Sequence, residues 1–438
     1  EPFGPPTGRF GRRRPASDDA RSPSLRFAPV ESAQVPAFVD LLRGAYPMFM
    51  EDRQRALEGY HRVQVLGHPA LIGGLDRSGA MIGGYAYFTF VATIRGRGLP
   101  ASGLGMVATA LDRKKERVAL AIVRDYVRRT RRDRVPLSFL YPFRHDFYAD
   151  MGWAPVAEAR QHFLRPSSLP LYPERKEVRL VRDPDWRELD RVHRQFLGRQ
   201  GGLGLSRHAS RWMWLLQQAP LFFLAYENGR PEGYLIARFQ RRPAEPDPLR
   251  YDLVVSEMEW TTPGAMRGLL GLLASQRDQV SEIILDWPRD RHLDAILREP
   301  VRPGRGHVHN HLGHGPIAGL GAMMRLEDPA EAFRLRPCAG RGALSLEVAT
   351  IDPLADDRPI RFRTELRGEA AAEGPEGATG TARAQLACGL GTLSRLWAGA
   401  LRAREAVEFG LAEISPLPAV EALDRLLAVS PPWIVERF

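Results

Sequence analysis

Two aromatic residues far apart in the chain carry groups that could donate and accept a proton. The run Pro431-Pro432-Trp433-Ile434-Val435-Glu436-Arg437-Phe438 keeps tryptophan and phenylalanine up to its last residue. Such an apolar end is expected to dock rather than fray, which would bring its α-carboxylate inside the fold. Upstream, Asp146-Phe147-Tyr148-Ala149-Asp150-Met151-Gly152-Trp153 sets a tyrosine beside a helix end closed by glycine. A phenol and a fixed carboxylate together make an acid and a base. Tyr148 taken alone also fits a packed core tyrosine.

A third group could hold an anion. In Val107-Ala108-Thr109-Ala110-Leu111-Asp112-Arg113-Lys114-Lys115-Glu116-Arg117-Val118-Ala119 a strand runs into a basic cluster and then a helix. Free amides at a helix N-terminus, on the positive end of the macrodipole, suit a pyrophosphate. A solvated basic helix start would read the same way. His307, His309, His311 and His314 alternate in a glycine-rich stretch. Zinc sites usually add cysteine or carboxylate ligands, so a linker is expected there and no metal site.

The elements that must position these groups follow from periodicity. After residues 1–24, polar and rich in Pro, Gly and Arg and expected to be disordered, a helix spans about 35–46. Apolar runs at 69–75 and 80–88, separated by Asp76-Arg77-Ser78-Gly79, predict a hairpin. A strand at 104–110 leads into the basic cluster, and Val118, Ala119, Ile122, Val123, Tyr126 and Val127 share one helical face before a strand at 135–140. The order then repeats after the proline-rich joint Pro166–Pro173. A strand at 178–180 and a helix at 186–197 precede a hairpin at 221–226 and 233–239, a strand at 251–258, a helix at 264–276 and a strand at 282–286. This predicts a duplicated domain. The corresponding turn of the second copy, Trp260-Thr261-Thr262-Pro263-Gly264, has no basic cluster. From Met323 the pattern changes to long strands, 343–348 and 360–366, with helices at 391–400 and 419–427, a third α+β domain.

Composition bounds the alternatives. A chain of 438 residues with 44% hydrophobic content is too long for one core and globular in character. No apolar run approaches the roughly 20 residues of a membrane helix, so no membrane partner is expected. The formal charge is +10, yet only Lys114, Lys115 and Lys176 are lysines and the arginines are spread along the chain. Without a basic stripe interleaved with aromatics, nucleic acid is not an expected partner. Two cysteines, Cys338 and Cys388, and no secretory h-region lead to an expected cytoplasmic location.

The segment from Val107 to Trp153 resembles the acetyl-CoA-binding core of the GNAT superfamily, in which a V-x-V strand is followed by P-x-x-R-R-x-G and a helix. Together with Phe147-Tyr148, Gly152-Trp153, the duplicated domain and the terminal phenylalanine, it resembles the Eis (enhanced intracellular survival) family. The resemblance covers nearly everything after residue 24. It implies a mixed α/β and α+β architecture: tandem GNAT domains at 25–168 and 174–320, the second without the cofactor motif, and a sterol-carrier-protein-like domain at 323–438. It implies N-acetyl transfer from acetyl-CoA to the primary amine of a small molecule (aminoglycoside-like or polyamine) or of a lysine side chain, by a homo-oligomer, a hexamer. Val107 and Thr109 would offer backbone groups to pantetheine. Lys114, Lys115, Glu116, Arg117, Val118 and Ala119 would wrap the pyrophosphate. Tyr148 would be the general acid and the Phe438 carboxylate the base. Ala398, Leu401 and Leu411 could line an apolar cavity in the third domain, whose expected part is to deliver Phe438.

Two departures stand out. Leu111 replaces the usual proline, and Arg117 holds the place of the glycine that lets backbone approach the pyrophosphate. Arg117 either pairs with phosphate or fills the cleft. In the second case the chain would be a catalytically degenerate relative that binds a small or apolar ligand.

Overall fold

The structure is a computed structural model that describes residues 24–47, 51–218, 221–242, 249–298, 316–355, 359–368 and 382–438. The tail expected to be disordered, save Ser24, and the four histidines at 307–314 lie outside the described residues. The chain divides into two compact units: one holds residues up to Val156 with Ala322–Val429 and Glu436–Phe438, the other Ala157–Gly321 and Ser430–Val435.

The first unit opens with strand β1 (Arg26–Pro29), helices α1 (Val35–Ala45) and α2 (Arg53–Leu66), and strands β2 (Ala70–Leu75), β3 (Met81–Ile94) and β4 (Arg97–Thr109). Val35, Phe38, Val39, Leu41 and Leu42 give α1 one buried face, and Pro36 fits its first turn, where no amide partner is needed. Asp52 caps α2 through the Arg55 amide at 3.0 Å. The β2–β3 turn closes on Asp76, whose carboxylate accepts from the amides of Ser78 (2.9 Å) and Ala80 (3.1 Å).

Sequence periodicity had ended the second hairpin strand at 88 and begun the next at 104. The structure continues both, because Arg95 and Gly96 turn with φ of 47° and 75°. That is the left-handed pair a tight hairpin demands, and an arginine in the first position hides the signal.

Helix α3 (Val118–Arg132), strand β5 (Leu137–Leu140), helix α4 (His145–Ala149) and strand β6 (Ala154–Pro155) complete this stretch. β4 pairs with β3 as far as Gly83↔Thr109 but with β5, in parallel, only over Ala101–Leu104. The register slips between Gly84 and Ala86, opposite Met106 at φ 51°. A bulge of this kind bends a strand. Beyond Leu104 the edge of β4 is therefore not paired to β5.

The second unit comprises β7 (Glu158–Leu164), β8 (Val178–Val181), α5 (Trp186–Gln200), β9 (Gly204–Leu205), α6 (Ala209–Gln218), β10 (Leu221–Glu227), β11 (Arg230–Arg241), β12 (Tyr251–Trp260), α7 (Pro263–Ala274), β13 (Val280–Asp286) and β14 (Ile317–Leu320). Its seven-stranded sheet runs β14-β7-β13-β12-β11-β10-β8. The series β8-β10-β11-β12-β13 repeats β1-β2-β3-β4-β5, with one parallel pair, β12 and β13, at the same place.

Back in the first unit come β15 (Met323–Leu326), α8 (Pro329–Leu335), β16 (Ala343–Ile351), β17 (Ile360–Arg367), β18 (Ala382–Gly389), α9 (Leu390–Ala398), α10 (Ala403–Glu408), β19 (Ala412–Ser415) and α11 (Ala419–Leu426). A four-stranded sheet runs β17-β16-β18-β19. Ala398 and Leu401, proposed cavity residues, are buried beside it.

Two strands correct the sequence boundaries. Residues 158–164 had fallen within the first domain's span, but β7 bonds to β13 and β14 of the second sheet. Met323–Leu326 had opened the third domain, but β15 lies in the first sheet between β5 and β6. Short apolar strands carry no periodicity that says which sheet they join. Among the described residues no helix is long and apolar enough to cross a membrane.

Candidate active site

Tyr148 lies near the end of α4, where the chain turns back sharply. The amides of Met151 (3.0 Å) and Trp153 (3.1 Å) both donate to its carbonyl, and Gly152 takes φ 93°, closed to most side chains. A Cβ at Gly152 would also lie 3.1 Å from Leu390 and 3.2 Å from the Arg325 guanidinium. The Tyr148 ring, only 2% exposed, meets Phe143, Phe147 and Trp153 edge-on, with centroids 5.7, 5.1 and 6.2 Å away. Among the described residues no group is hydrogen-bonded to its hydroxyl. Burial, with a smaller push from Tyr46, raises its pKa well above the ordinary phenol value, so it stays protonated at neutral pH.

Phe438 packs on strands β3 and β4 of the first unit's sheet. Its ring packs on Phe90 (4.9 Å), Phe88 (5.2 Å) and Tyr141 (5.7 Å). Two glycines of β4 make the seat. A Cβ at Gly103 would come 2.6 Å from the Phe438 ring, and one at Gly105 would come 3.2 Å from its carboxyl carbon. The carboxyl group thus lies against β4 just where that strand has left β5. Gly103-x-Gly105, in an otherwise apolar strand, is a signal of close approach that the sequence reading passed over.

Tyr46 was also missed. Its hydroxyl donates to the Val107 carbonyl at 2.9 Å, and burial raises its pKa above the ordinary phenol value. Of the two residues expected to offer backbone groups, Val107 therefore has its carbonyl engaged, while Thr109 pairs across to Gly83. Both lie beyond the β4–β5 pairing.

The basic turn leads into α3 as expected, with Lys114, Lys115 and Glu116 exposed and Val118 buried under the helix. Lys115 and Arg117 both have positive φ, 70° and 61°. Arg117 thus keeps the left-handed backbone that glycine would adopt, at a cost on the order of 1 kcal/mol. As N-cap of α3 it provides no side-chain cap, and the first turn holds no acid. The leading amides, including those of Val118 and Ala119, are left to a ligand or solvent. Among the described residues, neither Lys114 nor Lys115 has an ion pair.

The second unit treats the same place differently. Thr262 caps α7 by accepting from the Ala265 amide (3.0 Å), and its hydroxyl donates to the Glu227 carboxylate (2.7 Å). A Cβ at Gly264 would lie only 2.1 Å from that carboxylate. The helix N-terminus already holds an anion.

On β12, Glu257 and Glu259 are buried. His193 shares a 2.7 Å hydrogen bond with Glu259, and Tyr234 donates to both carboxylates. Arg207 grips Glu257 with two nitrogens, and the Trp433 indole donates to Glu259 at 3.3 Å. The ligand atoms of His193, Glu257 and Glu259 lie within 4.8 Å of one another, close enough for a cation. Arg207 already supplies that charge.

Three family models match the chain. Residues 26–156 match the model of an acetyltransferase (GNAT) domain, 203–325 that of a second acetyltransferase (GNAT) domain, and 329–435 that of a sterol carrier protein domain. The chain belongs to the GNAT acetyltransferases, whose general reaction is acetyl transfer, and carries two such domains followed by a sterol carrier protein domain. Its fold is the Eis-like one. Eis1 from Mycobacterium abscessus matches over 94% of this chain and 100% of its own, with a TM-score of 0.68 at 16% identity. A GCN5-related N-acetyltransferase from Anabaena variabilis reaches 0.76 at 17% identity, and one from Kribbella flavida 0.73 at 17%. They cover 94% and 95% of this chain, and all of their own. No curated protein matches by sequence.

Proposed function

We propose that the chain moves an acetyl group from acetyl-CoA to a primary amine by direct attack, in the first unit alone. The observation that carries this reading is the uncapped N-terminus of α3, with two lysines beside it that have no ion pair among the described residues. It fits a pyrophosphate, which Lys114, Lys115, Glu116, Arg117, Val118 and Ala119 would wrap, with Val107 and Thr109 along the pantetheine arm. The thioester would lie in a gap beyond Leu104, where β4 is not paired to β5.

In that gap the amine nitrogen attacks the thioester carbonyl carbon and the carbon–sulfur bond breaks. The thiolate takes the Tyr148 proton, the α-carboxylate of Phe438 takes one proton from the ammonium before it attacks, and the second proton lost from nitrogen as the amide forms returns through solvent to the Tyr148 phenolate. Burial keeps the Tyr148 phenol protonated and so able to donate. The acceptor is an aminoglycoside-like or polyamine compound or a lysine side chain. The chain would act in the cytoplasm as a homo-hexamer. Its two cysteines, both free and buried, suit that compartment, and light scattering in solution tests the assembly.

Tyr148→Phe tests the reaction. Turnover should fall by roughly 10² to 10⁴ with acetyl-CoA affinity unchanged. Turnover equal to the unaltered chain would remove Tyr148 from the mechanism.

A further inference from the structure

A buried ion cluster behind Tyr148 has no part in the reaction so far. Arg325, on β15, is completely buried. It donates to Glu327, to Asp352 at 2.6 Å and, through Nε, to the Met151 carbonyl at 3.1 Å. Glu327 also accepts from the Ser138 hydroxyl at 2.7 Å. Arg131, at the rim on α3, donates to Asp352 and approaches Glu327 at 3.7 Å. Two guanidinium groups face two carboxylates, so the cluster is neutral. Burial would push the Asp352 carboxyl up, but the Arg325 charge overrides it and holds it below its ordinary range.

A desolvated cluster of this kind is a weak source of stability; what it supplies is fixed geometry. The geometry points at one loop. Arg325 holds the Met151 carbonyl from behind, and its guanidinium lies 5.2 Å from the centre of the Trp153 ring. From the front, the amides of Met151 and Trp153 are bonded to the carbonyl of Tyr148, and the Trp153 ring touches that of Tyr148. Asp352 reaches Arg325 from just after β16, in the C-terminal sheet, and a Cβ at Gly152 would lie 3.1 Å from Leu390 and 3.4 Å from Pro353.

We propose that Asp352 and Arg325 are positioning residues for Tyr148, so that the sterol-carrier-like domain sets the phenol of the acid through the Met151–Trp153 loop. This rests on Tyr148 acting as the acid. The test is Asp352→Asn in the full chain, alone and combined with Tyr148→Phe, with kcat, KM for acetyl-CoA and thermal stability measured for each. Alone it should lower kcat about 10- to 100-fold, the range for misplacing a reacting group by about 1 Å. KM for acetyl-CoA should stay within about twofold.

In the Tyr148→Phe background the second change should cost nothing further in kcat, because the group it positions is gone. An unchanged kcat in Asp352→Asn, or an equal fall in both backgrounds, overturns the positioning role while leaving the acid in place. A normal kcat in Tyr148→Phe alone overturns the reading beneath it. If Asp352→Asn does not fold, Arg131→Gln serves, since that side chain is 38% exposed. It should lower kcat about 3- to 10-fold with the same dependence on Tyr148, and an unchanged kcat again contradicts the proposal.

Discussion

Helices α3 and α7 begin at equivalent points of two copies of one domain, yet their first turns are finished in opposite ways. At α7 the Thr262 hydroxyl takes an amide and the Glu227 carboxylate sits against Gly264. At α3 there is neither cap nor acid, and lysines flank the turn. The strands that precede the helices differ in the same sense. β4 carries Gly103 and Gly105 and admits the ring of Phe438, whereas β12 carries Glu257 and Glu259, closed over by His193, Arg207, Tyr234 and Trp433. One copy leaves its helix dipole and strand edge for a ligand; the other fills both with its own side chains. On the proposed reading, the duplicated fold therefore has one place to do chemistry.

The largest loss is expected at Phe438. A glycine-serine extension after Phe438 should abolish most acetylation while leaving the fold and acetyl-CoA binding intact; full activity in the extended, folded chain would rule out the base. Gly103→Ala attacks the same seat without touching the end of the chain. Its Cβ would drive the Phe438 ring out, so turnover should collapse while stability falls by about 1–3 kcal/mol, the usual cost of overpacking. Thermal melts beside the kinetics separate the two effects.

Arg117→Gly acts at the start of α3. Glycine relieves the left-handed backbone, which should raise stability by about 1 kcal/mol. Loss of the guanidinium should weaken acetyl-CoA by about 1.5 to 3 kcal/mol, the worth of a charged hydrogen bond. Calorimetric titration decides it, and unchanged affinity would put the cofactor elsewhere.

The smallest effect belongs to the second unit. Burial opposes the His193 charge, but Glu259 outweighs it and the pKa of His193 is raised. A raised folded-state pKa contributes stability in full below the unfolded value near 6.5 and loses it as pH climbs through the folded value. The melting temperature should therefore drop as pH rises above about 6.5, and His193→Gln should flatten that dependence.

Much of this was legible in the sequence. The repeated order of helix, hairpin, strand, helix and strand follows from periodicity, and the basic turn before Val118 stands out because it holds two of the chain's three lysines. What stayed hidden depends on tertiary placement. Nothing in Met323–Leu326 says that it fills the first sheet, and nothing in Glu227 says that it closes a helix some 35 residues later in the chain. Tyr46 reads as the end of an amphipathic helix until its hydroxyl is seen on Val107. Arg117 in the left-handed region is the instructive case. Residue type argued against glycine's conformation, and the backbone takes it all the same.

On the proposed reading only the first copy binds acetyl-CoA. Calorimetric titration of the full chain should give one site per chain, lost when Ala119→Glu places a carboxylate at the start of α3 and retained when Glu227→Gln removes the charge at α7. Two sites per chain, or binding that survives Ala119→Glu in a folded protein, would contradict it.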